Sequence, residues 1–435
     1  MKSEKEEIIK KDKEYIIHGW AYSPLILTEG RGCIVKDIDG KEYIDCIAGA
    51  AGPAWVGHSN PKVIEAIKNN LFTLGIYGLG NVTIQRVRLA EKLINILPKG
   101  MNKIFIGSGG TDAISTALKA AHIITGRKEA IGLYFGYHGF TLDLIGLGGA
   151  CVATPELKKG LPIMPGYRQI PPPYCYRCFY GKSYPDCDFE CARALEYAII
   201  YGSYRDVAAF IIEPILGNSG MIMPPSKEYA KIIKEICEKY GVLIIADEVQ
   251  TGLGRTGKMW GSEYIGLEPD IICLGKGLGG GLPVSATIFK EDKLPIELMR
   301  EKWWQAFSSS GAPILCAAAE AVIDFVVQEK IPQKAEKMGN LFMQGLKKMN
   351  YEIIGDIRGA GLFIGIELVK DRKTKEPAIK EVKEIITNCL NRGVILESYP
   401  WLNYIHIKPP AIISEEQVAK VLEALDYAMS KTLAS

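Results

Sequence analysis

The chain predicts an α/β fold: a large, mostly parallel sheet covered by helices, plus a smaller α+β domain built from both termini. Three observations predict it. From about residue 60 to 290, short buried runs alternate with amphipathic helical stretches, the pattern of repeated β–α units. After about residue 312 the alternation gives way to one long apolar helix and then a mixture of strands and helices. The opening segment holds a hairpin that is expected to join that C-terminal portion. The domains therefore read as 1–58 (small), 59–318 (large) and 319–435 (small).

Taken in order, GCIVKDIDGKEYIDCIAG places a DG turn between two alternating apolar stretches, a hairpin signature. PKVIEAIKNNL and TIQRVRLAEKLINIL carry helical periodicity. The runs NKIFIG, EAIGLYF, DVAAFIIEP, VLIIADE, DIICLG and VSATIF are short and nearly all apolar, as strands buried on both faces are. APILCAAAEAVIDFVVQEK is a long helix. GLFIGIELV and YIHIKPP read as strands, AIKEVKEIITNCLNRG and SEEQVAKVLEALDYAMS as amphipathic helices. There is no internal repeat and no low-complexity linker, so the domains should pack closely.

A net charge of +2 gives no reason to expect nucleic acid or an anionic membrane as partner. No apolar run approaches the roughly 18 residues of a membrane helix. The charged start MKSEKEEIIKKDKEY lacks the apolar core of a signal peptide, so a cytoplasmic location is expected. The bias towards Lys, Glu and Ile is one reported for hyperthermophiles. Of eleven cysteines, Cys33, Cys46, Cys237, Cys273, Cys316 and Cys389 sit singly in apolar context and read as small core residues. Cys175, Cys178, Cys187 and Cys191 cluster. They could hold a structural zinc, form two disulfides or remain four thiols.

Two apolar runs carry the chemistry. Val242–Ala246 ends on Asp247 and Asp270–Gly275 ends on Lys276. In open α/β sheets, ligands sit beyond the carboxyl ends of the strands. An amine and a carboxylate there suit a cofactor needing a Schiff base and a partner for a protonated ring nitrogen, needs that pyridoxal phosphate (PLP) has. A desolvated lysine also has a lowered pKa and becomes a usable nucleophile. Three further positions fit such a site. In NKIFIGSGGTDAISTALK, Gly109, Gly110 and Thr111 open a helix after a strand, where phosphate binds; a plain turn capped by Thr111 is the alternative. Tyr137 follows a strand and could stack on a flat ring. Glu213 could orient substrate or pair with a cation, or else reach solvent, and Gln250 could reach a ring hydroxyl.

Together these residues resemble the class III aminotransferases, PLP enzymes of fold type I, over nearly the whole chain. DEVQTGLGRTGKMW followed by PDIICLGKGLGGGLP is the most specific part of the likeness. The resemblance implies that Lys276 is the Schiff-base lysine and proton shuttle, and that Asp247 pairs with the pyridinium nitrogen. It places Tyr137 on the ring, Gln250 near the phenolic oxygen, and Gly110 and Thr111 on the phosphate. The family also sets a Thr of the neighbouring subunit on that phosphate; here Ser308 stands in its place, and a homodimer or dimer of dimers is implied. Members commonly carry an Arg before a PP pair to clamp the substrate carboxylate. This chain has His406 there, with Lys408 two residues on. A neutral imidazole cannot form the guanidinium fork, so the carboxylate is held weakly, held elsewhere or not needed; a protonated His406 would tie affinity to pH. Arg358 matches a position better read as structural. The implied activity is transfer of an amino group from an amino acid (an ω- or α-amine, such as 4-aminobutyrate or ornithine) to a 2-oxo acid by a ping-pong cycle. Racemases share every motif. The dialkylglycine-decarboxylase branch carries a Gln where this chain has Ala51, which lowers that reading. A PLP-fold binding subunit without turnover is disfavoured by the intact Lys276 and Asp247.

Overall fold

The computed structural model describes residues 4–19, 23–78, 80–148, 160–293, 303–399 and 401–434. Helix α1 (Glu4–Tyr15) precedes a three-strand meander, β1 (Leu27–Arg31), β2 (Ile34–Asp37) and β3 (Glu42–Asp45). The expected hairpin is β2–β3, turned at Gly40 with φ 81°, a conformation that favours glycine. Helix α2 (Pro61–Leu71) starts as its sequence dictates: Asn60 accepts from the Lys62 N–H, and Pro61 fills the first turn, where no donor is missed. Helix α3 (Ile84–Ile96) then leads to the main sheet.

That sheet has seven strands among the described residues. In chain order come β4 (Met101–Gly107), helix α4 (Gly110–Thr125), β5 (Glu129–Leu133), β6 (Tyr167–Ile170) and helix α5 (Glu190–Ile200). They are followed by β7 (Val207–Ile212), helix α6 (Glu228–Tyr240), β8 (Leu243–Asp247), the short helix α7 (Gly261–Ile265), β9 (Ile271–Leu274) and β10 (Ser285–Lys290). The order across the sheet is β4-β10-β9-β8-β7-β5-β6. Every pairing from β9 to β6 is parallel; β10 alone runs antiparallel, to β9 and to β4. Every residue of β5, β7, β8 and β9 is buried, which explains why these runs read as continuous rather than alternating. The helices cover the sheet with one face each. Helix α6 buries Tyr229, Ala230, Ile233, Ile236 and Cys237, a single stripe, and stops where Gly241 takes the left-handed conformation.

The remaining chain forms α8 (Pro313–Gln328), α9 (Ile331–Lys348), β11 (Ile354–Gly359), β12 (Ile364–Asp371), β13 (Glu376–Pro377) and α10 (Ile379–Asn391). It ends with β14 (Val394–Ile395), β15 (Tyr404–Ile407) and α11 (Glu415–Leu433). Ser414 and Gln417 open α11 with a reciprocal capping box. β11, β12, β13 and β15 make one sheet; β14 instead pairs in parallel with β3, so the N-terminal meander and the C-terminal chain share a sheet. The 318–319 boundary read from the sequence falls inside α8.

Candidate active site

The carboxyl ends of the buried parallel strands deliver the predicted side chains to one place. Asp247 is the last residue of β8, Glu213 follows β7 directly, Tyr137 lies just beyond β5, and Lys276 lies two residues beyond β9. Lys276 takes φ 40°, a left-handed conformation that a side-chain-bearing residue adopts only when its surroundings impose it. Its Nζ stands 5.7 Å from the centroid of the Tyr137 ring. Burial brings the Lys276 amine down to about 8, against the opposing pull of Asp247 and Glu213. That is the range in which an amine is both available as a nucleophile and able to carry a proton.

Asp247 is buried and held from two sides. The Val249 N–H donates to its Oδ1 at 3.1 Å, and His138 donates through Nδ1 to its Oδ2 at 2.8 Å. The His138 Nε2 has no hydrogen-bond partner among the described residues. Glu213 does not reach solvent: it accepts from the Tyr137 N–H at 2.8 Å and from the Gly217 N–H at 3.1 Å. Burial, helped by the nearby Asp247, pushes its carboxyl up to about 7. Glu213 thus fixes the backbone that carries Tyr137. The loop after Asp247 is locked by Glu248, which accepts from Thr251, from Gly261 N–H at 2.9 Å and from Ser262 N–H at 2.7 Å.

Helix α4 points its N-terminus into this space. A Cβ on Gly275 would lie 3.1 Å from the Gly110 Cα, and a Cβ on Gly139 would lie 2.8 Å from the Thr111 Oγ1. The helix start is therefore pinched between the Lys276 and Tyr137 segments, an approach only glycines permit. Gly109, not Thr111, is the N-cap, and no side chain caps the helix. Its first N–H groups are left for an anion. Amine, carboxylate, aromatic ring and uncapped helix start together fit a phosphorylated, ring-nitrogen-bearing aldehyde cofactor.

A family model described as Aminotransferase class-III matches residues 17–429. The chain belongs to the class-III aminotransferases. It is 38% identical over 420 residues to a leucine/methionine racemase of Thermococcus litoralis, covering 94% of this chain and 91% of that one. It is 34% identical over 443 residues to an alanine/serine racemase of Pyrococcus horikoshii, covering 98% and 91%. The solved omega transaminase of Pseudomonas jessenii in complex with PMP superposes with a TM-score of 0.90 at 31% identity, covering 98% of both chains. The expected α/β fold of type I is thereby borne out, and family and neighbours imply pyridoxal phosphate.

Gln250 and His406 sit in this class-III fold differently from one another. Gln250 donates through Nε2 to the Asn218 Oδ1 at 3.2 Å, and Tyr399 donates its hydroxyl to the same oxygen at 3.0 Å. The Gln250 Oε1 is buried without a partner among the described residues. His406, on β15, is fully buried, with Tyr399 edge-on at 5.8 Å, and neither ring nitrogen has a hydrogen-bond partner among the described residues. Burial holds its pKa below the usual imidazole range, outweighing Glu397, whose Oε2 is 3.7 Å from Nδ1 and too far for a hydrogen bond. Burial thus works against the protonated His406 that a pH-dependent clamp would need. Lys408 is also committed, its Nζ 2.7 Å from the Glu397 Oε2. Ser308 is exposed, and its carbonyl lies against Gly78; no described contact joins it to Lys276.

The four clustered cysteines stand as free thiols in this structure. Among the described residues no group of three or more His, Cys, Asp and Glu converges as a metal site. All four line one small cavity with Tyr174 and Phe179. That segment is tied to the C-terminal sheet instead. Glu367 accepts from the Tyr174 hydroxyl (2.5 Å), Arg177 Nε (2.5 Å) and Arg358 NH1 (2.7 Å), which gives Arg358 the structural role expected of it. No described helix is long and apolar enough to cross a membrane.

Two features escaped the sequence. Ala48, Gly49, Ala50, Ala51 and Gly52 all have φ between 47° and 112°, a left-handed run that includes three alanines. Asp45 anchors it, accepting from the N–H groups of Ile47 (2.8 Å) and Gly49 (2.7 Å) and pairing with His58 at 2.6 Å. The GH and AG-rich spelling of this segment was the available signal. The second is Arg255, buried beside the same run.

Proposed function

We propose that this chain is a pyridoxal-phosphate-dependent aminotransferase acting on an amino acid and a 2-oxo acid. The observation that carries the reading is the buried Lys276 amine, brought down to about 8, facing Tyr137 and flanked by the Asp247–His138 pair. Lys276 would hold the cofactor covalently, Asp247 its ring nitrogen, Tyr137 its ring face, Gln250 its phenolic oxygen, and Gly110 and Thr111 its phosphate. Bound there, the cofactor supplies an electron sink for the charge left when Cα loses a proton. The protein's part is to aim and move that proton. Lys276 would take that proton from the substrate Cα and hold it for return; one base on one face would suffice. Asp247, kept in place by His138, would stabilise positive charge on the ring nitrogen of the bound cofactor. Ser308, exposed on the single chain, fits a contact with a second subunit's phosphate site, so the working form is a homodimer or a dimer of dimers.

Racemisation is the second reading, favoured by the names of the two relatives at 38% and 34% identity. It would use the same lysine to take the proton, but a proton would have to return to the opposite face of Cα, since return to the same face restores the L-amino acid. Chiral chromatography of a panel of L-amino acids, with and without pyruvate or 2-oxoglutarate, separates the two. Aminotransfer predicts a new amino acid only when the 2-oxo acid is present. D-amino acid appearing without any 2-oxo acid would replace aminotransfer by racemisation. A purified protein that takes up no pyridoxal phosphate would overturn both.

A further inference from the structure

A guanidinium does not lose its proton readily, so burying one without a counter-charge is costly. Arg255 is only 3% exposed. Its NH1 donates to the carbonyls of Leu362 (3.3 Å) and Pro409 (3.1 Å), and its Cζ lies 3.9 Å from the centroid of the Trp55 ring. Among the described residues it forms no salt bridge. The half-buried Arg358, by contrast, is paired with both Asp356 and Glu367. Asp45 is the carboxylate felt at Arg255, but its oxygens are already taken by Ile47, Gly49 and His58. Among the described residues, then, no carboxylate is free to pair with Arg255.

Its open edge faces the reactive lysine. A Cβ on Gly52 would lie 3.3 Å from the Arg255 NH2 and 4.0 Å from the Lys276 Cδ, so one small gap touches both groups. Gly52, at φ 112°, ends the left-handed run that Asp45 pins down. Strained backbone held beside a reactive group is where function concentrates. The other basic groups near this space are engaged or disfavoured as cations: Lys408 is bound to Glu397, and burial lowers the pKa of His406. We propose that Arg255 is the cation that receives the substrate carboxylate, in the gap that Gly52 keeps open beside Lys276. The guanidinium fork missing at position 406 is thus supplied from another loop. This inference rests on the reading of the site as one for amino acids.

The test uses the holoenzyme and its Arg255→Gln and Arg255→Lys variants. KM is compared for an amino acid and for the amine with the same side chain but no carboxylate, with the cofactor's visible band and the melting temperature as folding controls. Loss of Arg255 is expected to raise the amino-acid KM roughly 30-fold or more, in line with losing a buried charge partner. The amine KM should stay within about threefold, and Arg255→Lys should recover part of the loss. An unmoved amino-acid KM in Arg255→Gln overturns the assignment. So does the same defect appearing instead in Glu397→Gln/Lys408→Met. Should the Arg255 variants lose the cofactor band, wild type decides. Isovalerate must perturb that band and compete with the amino acid, while isovaleramide must not; equal behaviour overturns the proposal. A wild type with no cofactor band would instead sink the reading of the site on which it rests.

Discussion

Replacing Asp247 with Asn is predicted to make Lys276 nucleophilic at lower pH while crippling turnover. Burial is the largest influence on the Lys276 amine, and it disfavours the ammonium form. Asp247 and Glu213 pull the other way, and the balance falls at about 8 rather than 10.5. That drop amounts to about 3 kcal/mol against protonation. About a tenth of the lysine is then uncharged at pH 7, against roughly one part in three thousand for an ordinary side chain. Asp247→Asn removes an anion that favours the ammonium, so the inflection should move below its wild-type position. The assay is stopped-flow capture of added pyridoxal phosphate by cofactor-free protein between pH 6 and 10, followed by visible absorbance. Wild type should show a half-maximal rate near pH 8, and Asp247→Asn a lower midpoint. Turnover of the variant should fall by at least about 100-fold, since a fixed charge opposite developing charge is lost. A wild-type midpoint near 10, or a midpoint that rises in Asp247→Asn, would refute the burial argument.

Other consequences are as direct. His138→Phe keeps an aromatic ring, somewhat larger, but removes the donor to Asp247; it should retain cofactor while deuterium exchange at Cα, read by NMR, slows roughly 10- to 100-fold. Gly110→Val would push into Val249, already 2.9 Å from a bare Cβ, and should lose cofactor on desalting. Glu367→Gln strips the charge from a buried carboxylate serving Arg358 and Arg177, and should cost about 3–5 kcal/mol in denaturant unfolding at pH 7. Burial pushes the Glu367 carboxyl up, but Arg358, Tyr174 and Arg177 outweigh it and its pKa is lowered. A lowered folded-state pKa stabilises above the unfolded value of 4.5 and is lost as pH falls through the folded one. The gap between wild type and Glu367→Gln should therefore close in acid.

What the sequence made legible follows from how the information is stored. Asp247 and Lys276 could be read because each ends a run too apolar for a charge to be idle, and chain position alone sets them at one edge of the sheet. The start of α4 could be read because glycines there spell a turn into a helix. His138 was visible beside Tyr137, but its bond to Asp247 joins residues 109 apart in the chain. Arg255 was hidden within a motif quoted for other reasons; only the fold shows that, among the described residues, no carboxylate is free to pair with it. The left-handed run at 48–52 was hidden for a different reason: alanine gives no hint of positive φ. The edge strand β6 lacks an apolar run, with only Ile170 fully buried, so its alternation was too weak to mark it.

The pairing of β3 with β14 also sets an order of events during synthesis. Ile44 lies opposite Val394 and Asp45 opposite Ile395, so the sheet closes across some 350 residues of intervening chain. A growing chain can assemble the seven-stranded sheet once β10 has emerged, because every strand of that sheet lies before residue 291. Its first strands must meanwhile wait without their partner until nearly the whole polypeptide has left the ribosome. Asp45 belongs to β3, and the turn it anchors forms the wall beside Lys276. The wall beside Lys276 is therefore completed last, and a chain cut short before β14 would leave β3, and the turn that Asp45 anchors, without their parallel partner.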